Sequence, residues 1–209
     1  MKENKLIIPT QRLEALADAV FAIAMTLLVL NIAMPEVSQA AADKILPKRL
    51  LELLPSFYNF TLSFLLLGIF WIIHHKQYLS ISKSTGVLAW INLFLLMFVV
   101  LVPFTTELVD TYSNIMIAAI LFNSNVFIIS VIFFIQYKYA INQHLIDYKL
   151  SQSHIELALK KNMVIIPIAV VAMVIAVFKP SYSTLTYILI PFIIKYLENK
   201  FNQNKLKEK

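Results

Sequence analysis

The sequence predicts an all-α membrane protein with six transmembrane helices per subunit, and three observations support this prediction. Hydrophobic residues make up 59% of the 209-residue chain and charged residues only 14%, which is too apolar for a soluble domain of this size. Charged residues divide the chain into six apolar runs, most of them close to the length of about 20 residues that a helix needs to cross a bilayer. Basic residues are also distributed unevenly between alternate connections.

We interpret residues 1–209 as one transmembrane domain. The predicted spans are approximately residues 13–34, 53–73, 84–106, 111–137, 162–178 and 180–197. The first and last apolar runs are short, so flanking residues such as Leu13 and Lys195 are needed to complete the crossing. Pro103, Pro167 and Pro191 fall inside spans, where we expect them to kink the helices.

The basic residues predict the orientation. If the N-terminus is cytoplasmic, only four of the 18 basic residues lie outside: Lys44, Lys48, Arg49 and Lys179. Cytoplasmic connections of membrane proteins are enriched in Lys and Arg, so this bias favours two cytoplasmic termini and an even number of spans. The same bias accounts for the net charge of +6. No basic–aromatic module is present, and we expect no nucleic-acid partner.

The connections between the predicted spans differ in length and charge. Residues 36–52 form an outer loop of mixed charge that has room for a short helix. Residues 107–110, Glu-Leu-Val-Asp, are predicted to form a tight acidic turn. Residues 138–161 are predicted to extend the fourth span as an amphipathic helix, with or without a return helix.

The residue inventory excludes several kinds of chemistry. The chain has no cysteine, and it contains no nucleophile motif or phosphate-binding loop, so we expect neither an enzyme nor a cofactor. His74 and His75 are neighbours and point about 100° apart on a helix, which does not suit one metal ion. Only two glycines are present, so a glycine-rich filter lined by backbone carbonyls cannot be built. If the protein conducts ions, side chains must form its narrowest part.

The first span has an aliphatic stripe. At 100° per residue, six side chains fall within a narrow sector of a continuous helix: Leu16, Ala19, Ile23, Leu27, Leu30 and Met34. Around a symmetry axis, Ile23, Leu27 and Leu30 would stack as three apolar rings, and such rings can gate a pore. An ordinary apolar helix also yields an aliphatic stripe, so spacing alone leaves both interpretations open.

Asp18 lies at the start of this span, on the opposite side from the stripe. A carboxylate inside a span costs about 2.5–3.5 kcal/mol on insertion scales and normally has a partner. Arg12 is 240° away on a continuous helix and cannot be that partner. The candidate partners are Trp71, His74 and His75 at the inner end of the second span, and Asn92 in the third. Asp18 is therefore either part of a polar latch or an interfacial, hydrated carboxylate.

These residues resemble a known family. Arg12 and Asp18, followed by the stretch from Val20 to Leu28, are similar to the first helix of the transmembrane protein 175 family of lysosomal and bacterial potassium channels. Its signature is Arg-x-x-x-Phe-Ser-Asp followed by Val-Phe-Ala-Ile-Ala-x-Thr-Leu-Leu, and in this sequence Leu16 and Ala17 replace the Phe-Ser pair. Two later stretches also resemble family landmarks: Trp71 with His74 or His75, and Asn92 through Thr106.

The resemblance implies a bacterial channel domain of six helices in the inner membrane. Such subunits assemble as homotetramers around a central pore that carries potassium, with the first helix lining the pore and no other metal or cofactor required. Carried over to this chain, Ile23, Leu27 and Leu30 would form the pore constriction. The resemblance also implies a structural polar network between the first three helices: Arg12, Asp18, Trp71, His74, His75 and Asn92.

Two other functions remain open at the level of sequence. The first is a proton-coupled cation transporter in which Asp18 carries the proton. The second is a non-conducting membrane protein in which the stripe of the first span is a helix–helix contact surface.

Overall fold

The computed structural model describes residues 8–147 and 152–207, and over these residues the chain is built from helices. Eight α-helices follow one another: α1 Thr10–Leu27, α2 Ala42–Glu52, α3 Leu54–Ser80, α4 Gly86–Thr111, α5 Met116–Asn142, α6 Gln152–Met163, α7 Ile165–Phe178 and α8 Leu189–Lys207. Short 3₁₀ segments occupy Leu28–Asn31, Gln39–Ala41 and Pro180–Ile188.

Five helical segments are long and apolar enough to cross a membrane. They are Thr10–Asn31, Leu54–Ser80, Gly86–Thr111, Met116–Asn142 and Ile155–Phe178. They correspond to the first five predicted spans, and several continue past the charges that end the apolar runs. α3, for example, includes Lys76, because a lysine at the membrane surface can extend its ammonium group into water without ending the helix.

The sixth predicted span, residues 180–197, is not one regular α-helix. It consists of the 3₁₀ segment Pro180–Ile188 followed by the first half of α8. The hydroxyls of Ser183 and Thr186 donate to the carbonyls three residues earlier, Pro180 O and Ser183 O, at 2.8 Å each. Such side-chain bonds compete with regular helical hydrogen bonding. Pro191 also lacks the N–H that would bond to Tyr187, which further interrupts a continuous α-helix.

The three prolines that the sequence places inside spans have different surroundings. Pro103 lies inside α4. Pro167 and Pro191 lie within the first turn of α7 and α8, although the sequence predicts that both fall within longer spans. The missing N–H of a proline costs little in a first turn, because no intrahelical acceptor awaits it there.

The predicted acidic turn at residues 107–110 is wrong. These residues form the last turns of α4, which ends at Thr111. The chain reverses at residues 112–115, where the Ile115 amide donates to Tyr112 O at 2.9 Å. The helix continues because Asp110 has a partner from α3: Asn59 Nδ2 donates to Asp110 Oδ1 at 2.8 Å. A charged residue with a local hydrogen bond at a membrane surface does not end a helix.

α4 and α5 form the centre of the bundle. α1 and α3 pack against α4, and α7 packs against α5. The core is apolar and aromatic, and the rings of Phe70 on α3 and Phe133 on α5 stack at 5.7 Å. α8 packs alongside α6 at the edge of the bundle. This arrangement leaves one side of α1 and much of α3 outside the subunit core.

A buried polar group attaches the 3₁₀ segment to α5. The Tyr187 hydroxyl donates to Asn123 Oδ1 at 2.7 Å, and Asn123 Nδ2 donates to Ser183 Oγ at 3.2 Å. All three side chains are buried. Hydrogen bonds between transmembrane helices contribute on average about 0.6 kcal/mol each, and these fix the rotation of the irregular segment against the central helix.

A short backbone contact joins the connection after α3 to the connection after α5. Ile81 and Ile146 form an isolated antiparallel bridge. The Ser82 amide donates to Leu145 O at 2.9 Å, and the Asp147 amide donates to Ser80 O at 2.8 Å. The contact ties the end of α3 to the segment that follows α5. Of the predicted inner loop 138–161, residues 138–142 extend α5 and α6 begins at Gln152; residues 148–151 lie outside the described part of the chain.

Candidate functional site: the first helix and its supports

One face of α1 is buried and the opposite face is exposed. Leu13, Ala17, Phe21 and Ala24 are buried, and Leu28 continues this face into the 3₁₀ turn. The spacing of four, four, three and four residues places them on one side of the helix, against α3 and α4. The short alanines allow close approach of helix backbones, as is typical of membrane helix contacts. This face fixes α1 within the subunit.

The predicted stripe lies on the exposed face. In the single chain Ile23 is 58% exposed, Leu27 39% and Leu30 74%. Leu16, Ala19 and Met34 are exposed as well. The exposed face is wider than the stripe, because Ala22, Thr26 and Val29 also belong to it. Subunit packing therefore leaves these aliphatic side chains free to face a pore, a neighbouring subunit or lipid.

The first helix does not continue to residue 34, where the predicted first span ends. α1 ends at Leu27, the 3₁₀ turn ends at Asn31, and Ile32 is extended. Met34 is therefore not on the same helical face as Ile23. A 3₁₀ helix has three residues per turn, so Leu30 lies almost directly above Leu27. The levels of Ile23, Leu27 and Leu30 are about 6 Å apart along the axis.

A side-chain hydrogen bond holds the 3₁₀ turn against α4. Asn31 Nδ2 donates to the carbonyl of Pro103 at 2.8 Å. Nearby, the Thr106 hydroxyl donates to Ser63 Oγ at 2.8 Å, which joins α4 to α3. The sequence did not predict these two contacts. The available signal was the recurrence of small polar residues in otherwise apolar spans.

Near the N-terminal end of α1, α1 and α3 meet in two successive contacts. Trp71 Nε1 donates to Asp18 Oδ1 at 2.8 Å. One turn away, His75 Nδ1 lies 3.9 Å from Glu14 Oε1. The rings of Trp71 and His75 stack at 5.9 Å. Because the helices are antiparallel, residues four apart on α1 face residues four apart on α3. Glu14 was not among the predicted site residues, although its spacing from Asp18 indicates a shared face.

A second polar pair is buried between α3 and α4. His74 Nε2 donates to Asn92 Oδ1 at 2.8 Å, and both side chains are buried. The ring of His74 stacks on Tyr78 at 4.4 Å and lies 6.1 Å from the ring of Phe21. A buried amide–imidazole hydrogen bond of this kind orients the ring and joins the two helices.

The predicted polar residues thus occupy two separate places. Asp18, Trp71 and His75 lie on the exposed side of the α1–α3 contact, and His74 and Asn92 lie inside the bundle. Arg12 is exposed, and its guanidinium group makes no hydrogen bond or ion pair with a described residue. The adjacent histidines point to different helices because of the 100° rotation between neighbours.

No group of three or more His, Cys, Asp and Glu side chains suited to a metal ion occurs among residues 8–147 and 152–207. His75 faces a carboxylate and His74 faces an amide. What the arrangement offers is a helix with an exposed aliphatic face, held in position by hydrogen bonds at both ends.

The chain is similar to known channel proteins. Residues 12–103 match the family described as endosomal/lysosomal potassium channel TMEM175. A potassium channel of Chryseobacterium sp. (strain P1-3) is 38% identical over 100 residues, which is 48% of each chain. A potassium channel of Chamaesiphon minutus is 39% identical over 103 residues, 49% of this chain and 50% of that one. The matched part of the sequence thus spans about half the length of these relatives.

Vertebrate relatives carry a different description. The endosomal/lysosomal proton channel TMEM175 of Danio rerio is 35% identical over 103 residues, which is 47% of this chain and 20% of that one.

Solved structures extend the similarity to the whole chain. A lysosomal potassium-selective channel TMEM175 homologue from Chamaesiphon minutus is 27% identical and has a TM-score of 0.74, with 92% of this chain and 98% of that chain covered. A variant of the potassium channel MtTMEM175 has the same fold, at 17% identity and a TM-score of 0.59, with 99% of both chains covered. These relatives are ion channels rather than enzymes. The protein described here is a multi-pass membrane protein, and its residues 12–103 match the TMEM175 family.

Proposed function

We propose that this protein is a potassium channel whose pore is lined by α1. One observation carries the proposal: Ile23, Leu27 and Leu30 form an exposed aliphatic face on a helix whose other face is buried in the subunit. The names of the bacterial relatives, which are potassium channels, support the choice of ion.

The proposed pore is formed by four copies of the chain around a central axis. Ile23, Leu27 and Leu30 of each copy form three stacked rings that constrict the pore, without a filter of backbone carbonyls. Aliphatic rings offer no ligands to replace the hydration shell of an ion, so selectivity for potassium over sodium is modest. The permeating ion is the only ion required, and no cofactor takes part.

The proposed subunit crosses the inner membrane of a bacterium six times, with both termini in the cytoplasm. The irregular segment 180–197 is the sixth crossing, and the side chains of its Ser183 and Tyr187 are hydrogen-bonded to Asn123. The distribution of Lys and Arg supports this orientation. Because the chain contains no cysteine, single cysteines can test it directly with a membrane-impermeant thiol reagent.

In intact spheroplasts, we expect Ser38→Cys to react and Lys200→Cys to react only after the membrane is opened. Equal reaction of both positions in closed spheroplasts contradicts the six-span orientation.

The experiment that tests the channel itself is reconstitution of the purified protein. Reversal potentials are measured in planar bilayers with potassium on one side and sodium on the other. We expect a potassium current with a moderate preference over sodium, and Leu27→Ala to change conductance or selectivity at least severalfold. Leu93→Ala, an equal truncation at an exposed position of α4, is the control and leaves both quantities unchanged. An absence of current in the wild type, or a Leu27→Ala variant identical to the wild type, contradicts the proposal.

A second candidate is transport of protons, because vertebrate relatives are described as proton channels. The proton-coupled transporter form of this candidate uses Asp18 as the carrier. Asp18 is exposed and accepts a hydrogen bond from Trp71. In the same bilayers, a proton gradient is applied without a potassium gradient to distinguish the candidates. A strictly coupled exchanger yields no potassium current without proton movement, whereas a channel does not need proton movement. A third candidate, a non-conducting interaction protein, predicts that neither ion permeates.

A further inference from the structure

A long groove runs between α3 and α8 on the outside of the bundle. It consists of two adjoining cavities of about 570 and 400 Å³. The cavities share Ile69, Ile72 and Pro191, so they form one continuous depression. The 3₁₀ segment packs mainly against α7, and α8 packs against α6 rather than closely against α3. The groove is therefore a consequence of the irregular sixth span.

The part of the groove toward the outer face is apolar. Its additional lining residues include Leu62, Phe64, Leu65, Tyr187, Ile188 and Phe192. Phe64, Leu65 and Phe192 are exposed in the single chain. A surface of this kind, in a helix pair that crosses the hydrocarbon core, accommodates an acyl chain without any polar group being buried.

The inner end of the groove is basic. Lys76, Lys161 and Lys195 line it together with one acidic residue, Glu198. Glu198 accepts a hydrogen bond from Lys161. Lys76 and Lys195 are exposed and form no ion pair with any residue of the described chain. Two ammonium groups are thus available at the mouth. Asn162, a buried amide whose Nδ2 has no partner among the described residues, lines the same end.

The dimensions match one leaflet of a bilayer. From Leu62 to Lys76 on α3 the helical rise amounts to about 21 Å. Half of a hydrocarbon core is about 15 Å thick, so the groove extends from the bilayer midplane to the level of the inner headgroups. Its charged end lies where headgroup phosphates lie, and its apolar end lies among acyl chains.

We propose that this groove is a binding site for an anionic glycerophospholipid of the inner leaflet. The phosphate of the lipid lies between Lys76 and Lys195, and one acyl chain follows Ile69 and Ile72 toward Leu65. Basic pockets between transmembrane helices on the cytoplasmic side are suited to anionic headgroups. A second copy of the chain fits the groove less well, because the inner segments of this basic protein would bring further lysines against Lys76 and Lys195.

The test is lipid binding measured by native mass spectrometry. The purified full chain in detergent is titrated with phosphatidylglycerol and, separately, with phosphatidylcholine of the same acyl chains. We expect tighter binding of phosphatidylglycerol, and a loss of about fivefold in its affinity for each of Lys76→Gln and Lys195→Gln. Phosphatidylcholine has the same phosphate but also a cationic choline that offsets it, so its binding decreases less in these variants. The double variant Lys83→Gln/Lys138→Gln removes the same two charges as Lys76→Gln/Lys195→Gln, but away from the groove, and it leaves both affinities unchanged.

Two further variants test the acyl-chain part of the site. Ile72→Trp and Leu65→Trp fill the groove at exposed positions without a change in charge, and thermal unfolding confirms that they fold. We expect either substitution to weaken binding of both lipids severalfold while the oligomer keeps its mass.

Three results overturn the proposal. The first is equal phosphatidylglycerol binding in the wild type and the Lys76→Gln/Lys195→Gln variant. The second is that both tryptophan variants change the mass of the oligomer but leave lipid binding unchanged. That result indicates that a neighbouring subunit occupies the groove. The third is binding of soluble glycerophosphate as tight as that of phosphatidylglycerol, which assigns the basic end to a free anion.

Discussion

The indole of Trp71 on α3 donates a hydrogen bond of 2.8 Å to the carboxylate of Asp18 on α1. The contact lies five residues before Ile23, the first residue of the proposed pore rings. Together with the Glu14–His75 contact one turn away, it fixes the register between two antiparallel helices. The position of the aliphatic face of α1 along α3 is therefore fixed by polar contacts near the N-terminal end of α1 rather than by the aliphatic residues themselves.

The first prediction concerns Asp18→Asn. The amide keeps an oxygen that can accept from Trp71, but it cannot carry a proton. A channel with α1 as its wall therefore continues to pass potassium, with a current within about threefold of the wild type. Reconstituted flux measures this outcome. Loss of both potassium and proton movement, in a variant that unfolds at the wild-type temperature, contradicts the channel and favours the transporter.

The second prediction concerns the buried pair His74 and Asn92. Asn92→Leu leaves the imidazole of His74 without its partner inside the bundle, and we expect a loss of about 1–3 kcal/mol in the free energy of unfolding. Because replacement of both partners by apolar groups removes the unmatched polar atom, the double variant His74→Phe/Asn92→Leu recovers much of this loss. Denaturant unfolding of the purified protein measures both effects. If the losses in unfolding free energy of the two single variants simply add in the double variant, His74 and Asn92 are not energetically coupled.

The third prediction concerns Asn31, which holds the 3₁₀ turn through the carbonyl of Pro103. Asn31→Leu frees Leu30 from its fixed position, and we expect a lower preference for potassium over sodium, seen as a reversal potential closer to zero. Asn125→Leu is the matched control, since it breaks another amide-to-carbonyl hydrogen bond to α4, with Phe98 O, from α5 rather than from the 3₁₀ turn. The same reversal potential in Asn31→Leu and the wild type shows that this contact does not position the ring.

The fourth prediction concerns pH and the ion pair between α6 and α8. The hydrogen bond from Lys161 lowers the pKa of the Glu198 carboxyl below its ordinary value of 4.5. A carboxyl whose pKa is lowered by folding contributes stability that is complete above pH 4.5 and is lost as the pH falls through the lower value. The thermal unfolding temperature of the wild type therefore decreases on acidification below pH 4.5 more than that of Glu198→Gln. If the unfolding temperatures of the wild type and Glu198→Gln decrease in parallel with pH, the ionised Glu198 does not contribute this stability.

Much of the bundle could be predicted from the sequence, because apolar runs and the charges between them reflect the free energy of each segment in a bilayer. The first five spans follow from this property alone. The ends of the helices could not be predicted from the positions of charged residues. Lys76 and Asp110 remain helical because they reach water or a hydrogen-bond partner. The predicted sixth span, residues 180–197, departs from a regular helix, because side-chain hydroxyls and Pro191 disturb its backbone hydrogen bonds.

The sequence by itself determined the composition of the first helix: an aliphatic stripe, a lone aspartate at its start and too few glycines for a carbonyl filter. It also restricted the partners of Asp18 to a few residues, because helical geometry excludes Arg12. Only the tertiary structure decided that His75 meets Glu14 while His74 meets Asn92, and that the stripe lies on the exposed face. Such pairings depend on the relative rotation and depth of separate helices, which arise from packing between segments distant in the chain.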